Sequence, residues 1–187
     1  SLRRDGSSKF GADNRWGWFP SVAGAWKLRS FMKNIDWLGS AKLRLSWGKA
    51  GNDRIGSAQF LSNMKALNYP LGDSQTMANG YVIGNIANSM LGWETTTSYN
   101  VGIDFGVLNN RIYFQADYYK KKTKNLLLNV PVSLITGFSS MMDNVGTVDN
   151  WGLEFELNTA NLVTKNFKWN SSLNVSLNRN KITSFGD

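Results

Sequence analysis

The chain has 187 residues, enough for one domain with a sizeable core, and contains neither Cys nor His. That removes disulfides, thiolate chemistry, and the commonest metal ligand and general base. A formal charge of +8 points to anionic partners such as nucleic acid, phospholipid or lipopolysaccharide. Eight Trp and an aromatic content of 13% accompany a negative mean hydropathy. No run approaches the roughly 18 to 20 apolar residues of a membrane helix. A helical membrane protein is excluded, whereas a β-barrel is not, because alternation dilutes its apolar positions.

Ser1 to Phe19 is polar and Gly-rich and closes in Arg15-Trp16-Gly17-Trp18-Phe19-Pro20. Proline has no ladder donor, so a strand is expected from about Ser21. Val22, Trp26 and Leu28 mark one face of it, and Lys27 and Arg29 the other. After a link over Ser30–Ser40, Leu43, Leu45 and Trp47 alternate with Lys42, Arg44 and Ser46, as in a strand with one apolar face. Residues 51–92 lose that alternation and read as a long irregular connection, which a compact domain keeps only for function.

A hairpin follows. Tyr99, Val101, Ile103, Phe105 and Val107 share one face, and Asn100, Gly102, Asp104 and Gly106 the other. Leu108-Asn109-Asn110 forms the tip, where the two Asn suit positive φ. The return arm places Ile112, Phe114, Ala116 and Tyr118 on the apolar side and Gln115 and Asp117 on the polar side, and extends through Lys120-Lys121-Lys122-Thr123-Lys124 to Leu126-Leu127-Leu128. Residues 130–150 read as irregular. Trp151, Leu153, Phe155 and Leu157 then alternate with Gly152, Glu154, Glu156 and Asn158. In the last strand Trp169, Ser171, Leu173, Val175 and Leu177 oppose a ladder of Asn and Ser.

The reading is six strands with a partial seventh at the start. If successive strands are antiparallel, the short links (Ser30–Ser40, Leu108–Asn110, Thr159–Asn166) fall at one end and the long ones (Gly51–Gly92, Asn129–Asn150) at the other. That sorting belongs to an outer-membrane barrel, and a soluble sandwich has no reason for it. The alternation alone fits either architecture, because a soluble sheet with one wet face shows the same pattern. A soluble β-sandwich that binds carbohydrate or another ligand through its long loops is therefore the alternative. The chain starts at Ser1 without an initiating Met and stops just after a strand-like segment, and is read as part of something longer.

Short motifs run through the chain in order. They are Arg4-Asp5-Gly6-Ser7-Ser8-Lys9-Phe10-Gly11, Asn14-Arg15-Trp16-Gly17-Trp18-Phe19-Pro20-Ser21-Val22 and Lys42-Leu43-Arg44-Leu45-Ser46-Trp47-Gly48-Lys49-Ala50-Gly51-Asn52. Trp93-Glu94-Thr95-Thr96-Thr97, Val101-Gly102-Ile103-Asp104-Phe105-Gly106, Asn109-Asn110-Arg111-Ile112, Asp117-Tyr118-Tyr119 and Gly152-Leu153-Glu154-Phe155-Glu156-Leu157 follow. This series resembles the SusC/RagA-type TonB-linked outer-membrane proteins. The resemblance implies an all-β fold, a fragment of an antiparallel up-and-down transmembrane β-barrel amounting to about a third of a large barrel. Residues 1–187 would be a partial receptor barrel with no plug domain, no TonB box and no closing strand. The implied activity is TonB-dependent import of glycans or peptides across a Gram-negative outer membrane. The implied partners are a SusD-like surface lipoprotein, the TonB complex through the missing N-terminal part, and outer-membrane lipid and lipopolysaccharide.

Several side chains are candidates for a role. Trp16, Trp18 and Phe19 suit either substrate stacking at the extracellular mouth or an interfacial aromatic girdle. Lys42, Arg44, Asp104, Gln115, Asp117, Glu154 and Glu156 are expected to face the lumen. Glu154 and Glu156 lie about 7 Å apart along one strand, whereas a glycosidase pair faces across a cleft, so no enzyme is expected. No cofactor or metal is expected, for want of a phosphate loop, dinucleotide fingerprint, nucleophile elbow or ligand cluster. Nucleic-acid binding is not expected either, because the basic residues sit at strand ends and form no stripe with stacking aromatics.

Overall fold

The computed structural model describes residues 1–31, 35–72 and 76–185. Part of the Ser30–Ser40 link and the final Gly186-Asp187 lie outside them. Among the described residues eleven strands occur in chain order: β1 (Leu2–Gly6), β2 (Trp16–Lys27), β3 (Leu38–Asn52), β4 (Met64–Leu71), β5 (Thr76–Ile83), β6 (Glu94–Val107), β7 (Ile112–Lys124), β8 (Leu127–Pro131), β9 (Ser140–Asn144), β10 (Thr147–Val163) and β11 (Lys168–Ser184). Seven form one antiparallel sheet in the order β1-β2-β3-β6-β7-β10-β11, which does not close. The expected partial strand at the start is β1. Helical structure among the described residues is limited to the 3₁₀ turns Leu28–Ser30 and Leu134–Thr136.

The strand does not begin at Ser21. β2 starts at Trp16 and passes through Pro20, which is paired with Leu2. Ser21 exchanges hydrogen bonds with Ser1, its N–H donating to the Ser1 carbonyl at 2.8 Å and the Ser1 amino group donating back at 2.8 Å. Backbone groups of successive strand residues point to opposite sides, so Pro20 faces the β3 side. The β2–β3 ladder ends at Ser21↔Gly48, and no donor is missed there.

The long connections also depart from the irregular reading. Residues 53–93 contain the separate hairpin β4–β5, and residues 125–146 contain β8–β9. Leu126-Leu127-Leu128 does not extend the central hairpin. Asn125, at φ 55°, ends β7's path, and Leu127 opens β8. Residues 61–70 of the first hairpin are exposed throughout, so neither face needs an apolar row and the alternation disappears.

The tip of the central hairpin follows expectation. Asn109 and Asn110 take φ 55° and 61°, and Leu108 joins them at 53°. The Leu108 N–H donates to the Trp37 carbonyl at 2.8 Å, and the Arg111 N–H donates back to the Leu108 carbonyl at 3.2 Å.

Burial on the central strand β6 is inverted relative to a soluble protein. On β6, Gly102, Asp104 and Gly106 are buried while Val101 is exposed. Asp104 is 4% exposed and Val101 42%. The second sheet that a sandwich would pack on the apolar face is absent among the described residues, and Leu45, Phe155, Leu173, Val175 and Leu177 remain exposed. The buried apolar cluster lies among the connections instead, where Phe10, Ile55 and Leu91 meet Phe60, Trp93, Leu127 and Met142.

Candidate functional site: a charged polar face beneath a knitted loop layer

Register places the expected polar residues in two adjacent rows. One runs Lys42–Asp104–Gln115–Glu156–Asn174 and the next Arg44–Gly102–Asp117–Glu154–Ser176. Arg44 is the hub of β3, β6 and β7. Its Nε donates to Asp104 Oδ1 at 3.0 Å, and its Nη2 reaches past β6 to Asp117 Oδ2 at 2.8 Å. Lys42 Nζ lies 3.2 Å from Asp104 Oδ2, and Gln115 Nε2 donates to Asp117 Oδ2 at 3.0 Å. Every carboxylate of this group thus has a cation or amide against it, which is what a half-buried charge requires.

Glu154 and Glu156 belong to the same face but stand outside the Arg44 network. Asn158 Nδ2 donates to Glu156 Oε1 at 2.6 Å. With Gln115, Asp117, Asn174 and Ser176 they line an open recess of about 220 Å³. The two carboxylates stand side by side on β10 and do not face one another, so they cannot flank a scissile bond. Among the described residues no group of His, Cys, Asp or Glu has the spacing of a metal site.

The aromatic cluster divides. Trp16 and Trp18 share the apolar face of β2 with Val22 and Trp26, and both are exposed, whereas Phe19 points the other way and is only 4% exposed. The Arg4 guanidinium lies 4.3 Å from the Trp16 ring centroid and 5.3 Å from that of Trp18, a cation–π arrangement. Phe19 meets Trp93 edge-on at 5.3 Å, and its ring occupies the space a Cβ would take on Gly17 or Gly51. Trp47 and Trp151 lie inside their strands, Trp93 immediately precedes β6, and Trp169 is the second residue of β11.

Above the polar face the connections are tied into one layer, a feature the sequence reading missed. Trp93 Nε1 donates to the Arg15 carbonyl at 3.2 Å. Asn144 Nδ2 donates to the Gly92 carbonyl at 3.0 Å, and its Oδ1 accepts from the Gly92 N–H at 2.7 Å. Glu94 accepts from Asn52 Nδ2 at 2.9 Å and from the Leu127 N–H at 3.2 Å, joining the tops of β3, β6 and β8. Ser7 Oγ donates to Asp53 Oδ2 at 2.8 Å, and Lys9 Nζ to the Asp53 carbonyl at 3.0 Å. The only signal for this in the sequence is the density of Asn, Ser and Gly between the strands.

Connections 28–37, 108–111 and 164–167 lie at one end of the sheet, and 7–15 together with the two long ones, 53–93 and 125–146, at the other. An unclosed up-and-down sheet with one charged, polar face and one bare apolar face is a wall segment of a transmembrane β-barrel. Residues 1–186 match the family described as TonB dependent receptor-like, beta-barrel, and the chain belongs to that family of outer-membrane barrels. It is 41% identical over 186 residues to the TonB-dependent receptor P26 of Formosa agariphila, covering 98% of this chain and 19% of that protein. It is 40% identical over 191 residues to the TonB-dependent receptor SusC of Bacteroides thetaiotaomicron, covering 98% and 19%. The solved structure of the RagAB peptide transporter superposes with a TM-score of 0.88 at 34% identity, over 98% of this chain and 20% of that one. In its closed-closed state the RagAB peptide importer gives a TM-score of 0.89. The chain thus spans about a fifth of the length of the relatives it matches.

Proposed function

We propose that this segment is barrel wall, lumen lining and extracellular loop in an outer-membrane receptor that imports glycans or peptides by TonB-dependent transport. The observation that carries this reading is the two-faced sheet: Lys42, Arg44, Asp104, Gln115, Asp117, Glu154 and Glu156 share one face, where Asp104 is buried among its cationic partners, and the opposite face is apolar and bare. A lumen-facing surface of both charge signs holds water and plug or substrate polar groups, and a lipid-facing one tolerates neither. Family membership and the RagAB likeness support transport. Substrate would be bound and guided without any bond being made or broken.

Trp16 and Trp18 belong to the interfacial girdle in this reading, because they share a face with Val22 and Trp26. The loop layer at residues 53–93 and 125–146 is the surface on which a SusD-like lipoprotein would close. The TonB complex would act on a part of the receptor beyond residues 1–187. Membrane fractionation and uptake assays test the proposal together. The full-length receptor is expected in the outer membrane, soluble only with detergent, and its deletion should abolish uptake of labelled oligosaccharide or labelled peptide from a defined panel. Recovery as a soluble monomer would contradict it, as would undiminished uptake of every panel member in the deletion strain.

A further inference from the structure

Strands β3, β6, β7 and β10 each have a neighbour on both sides, and their polar face changes character from row to row. In two rows every cation is matched: Lys42 and Arg44 pair with Asp104 and Asp117 at 2.8 to 3.2 Å. The next row toward the long loops, Ser46–Asn100–Tyr119–Gly152, carries no charge, and the one after it, Gly48–Ser98–Lys121–Asn150, carries a single cation. The row above, Ala50–Thr96–Thr123–Val148, is neutral again. Lys121 is exposed and makes no ion pair among the described residues. The nearest acids on this face, Asp117 and Glu154, lie two rows away, about 13 Å along β7 and β10. The Lys121 ammonium stands 5.3 Å from the Tyr119 ring centroid. A Cβ on Gly152 would fall 2.5 Å from the Tyr119 hydroxyl and 2.6 Å from its Cζ. Glycine there lets the half-buried phenol lie flat against β10, with a ring face toward the lumen. Asn100, whose Nδ2 donates to Ser46 Oγ at 2.9 Å, borders the ring, and Asn150 borders the ammonium.

We propose that Tyr119 and Lys121 form a subsite for a carboxylated sugar ring, the uronate unit of an acidic glycan, at the mouth of the lumen. The inference deepens the import reading above and rests on it. The Lys121 row is one residue nearer the long loops than Trp47 and Trp151, which stand on the outward face at the interfacial girdle in that reading. A solute entering from outside therefore meets Lys121 and Tyr119 before it meets the Arg44 belt. A pyranose lays its C–H face on the phenol ring and gives its hydroxyls to the amides of Asn100 and Asn150. Its carboxylate takes a charge-assisted hydrogen bond from Lys121. One cation among neutral neighbours suits one negative charge. A neutral sugar would leave the ammonium without a counter-charge, and an acidic peptide side chain has no ring to lay on Tyr119.

The test uses the full-length receptor purified in detergent, with tri-galacturonate, tri-mannuronate, the methyl ester of each and tri-glutamate as calorimetric probes. The wild type should bind at least one of the two sugar acids roughly tenfold more tightly than its ester, the worth of one charge-assisted hydrogen bond. That preference should shrink as salt is raised. Lys121→Gln should abolish the preference and leave ester binding unchanged, whereas Lys121→Arg should keep it. Tyr119→Leu should weaken acid and ester alike, by several-fold. Lys120→Gln, next in the chain but on the opposite face, should change nothing. Heat-modifiable mobility on gels serves as the folding control, and where Lys121→Gln fails it the ester comparison and salt dependence of the wild type decide. No binding of either sugar acid, equal binding of acid and ester, or an unchanged preference in Lys121→Gln would overturn the proposal. Tri-glutamate binding as tightly as the better sugar acid would overturn it too. Outer-membrane localisation and uptake are scored separately. A localised, importing receptor without the preference defeats only this inference, and a soluble receptor defeats the import reading as well.

Discussion

Arg44 on β3 reaches Asp117 on β7 across an intervening strand, Nη2 to Oδ2 at 2.8 Å. The crossing is possible because Gly102 stands between them in register. A Cβ there would fall against the Asp117 carboxylate and 2.7 Å from Arg44 Cζ. Neighbouring strands pair through backbone, but this ion pair ties strands two apart and fixes three of them together.

Replacing Arg44 by Met should leave Asp117 with Gln115 and Asp104 with Lys42 alone. Breaking a buried pair this way costs about 3–5 kcal/mol, and the lower end applies because the Arg44 side chain keeps 31% exposure. The temperature at which the full-length receptor loses its folded gel band should fall accordingly. Gly102→Val should fall similarly, whereas the triple change Arg44→Met, Asp104→Asn, Asp117→Asn should recover much of the loss, since only Lys42, whose side chain is 40% exposed, then lacks its ionic partner.

Phe19→Ala removes the ring that packs on Trp93 over Gly17 and Gly51. A cavity of that size costs about 3 kcal/mol. The effect should be local. Hydrogen exchange should rise at residues 7–15 and 91–94, and protection in the middle of β6 and β7 should stay unchanged.

Leu108 is a branched, non-glycine residue at φ 53°. Leu108→Gly should stabilise the short turn by about 1 kcal/mol by relieving the left-handed strain. Leu108→Pro should do the reverse, because proline cannot take that φ and removes the N–H that donates to Trp37. Thermal gel shifts of the two variants should move in opposite directions.

The Trp16 and Trp18 side chains supply a further discriminating outcome. As girdle residues, their replacement by Ala should lower the yield of assembled receptor while leaving the apparent KM for uptake unchanged. A several-fold rise in that KM with normal assembly would place substrate on these rings.

Legibility in the sequence followed the number of solvents a strand meets. β3, β6, β7, β10 and β11 show period-two alternation because one face is apolar and the other polar, and that pattern survives without knowledge of the partner strands. β4 and β5 were invisible because both their faces are wet. Pro20 misled for a different reason: its effect depends on which side of the strand has a ladder partner, and the residue itself does not reveal that. The polar candidates were found by parity alone, and register was needed to show that Arg44 joins Asp104 to Asp117. Phe10, Ile55 and Leu91 have no periodicity and lie far apart in the chain, so only folding of the connections brings them together. Phe19 was grouped with Trp16 and Trp18 by adjacency, although alternation sends it to the opposite face.

The central claim is that one face of this sheet meets lipid and the other meets water. The segment has no native Cys, so single cysteines can be spin-labelled along β6 and β7 in the full-length receptor, freed of other cysteines and reconstituted in bilayers. Collision rates with oxygen and with a water-soluble nickel chelate then report each position. Labels at Val101, Ile103, Phe105 and Phe114 should favour oxygen, and labels at Ser98, Asn100 and Gln115 should favour the chelate, the preference switching with each change of face. Equal access of the chelate to both faces, or alternation with the opposite phase, would contradict the account.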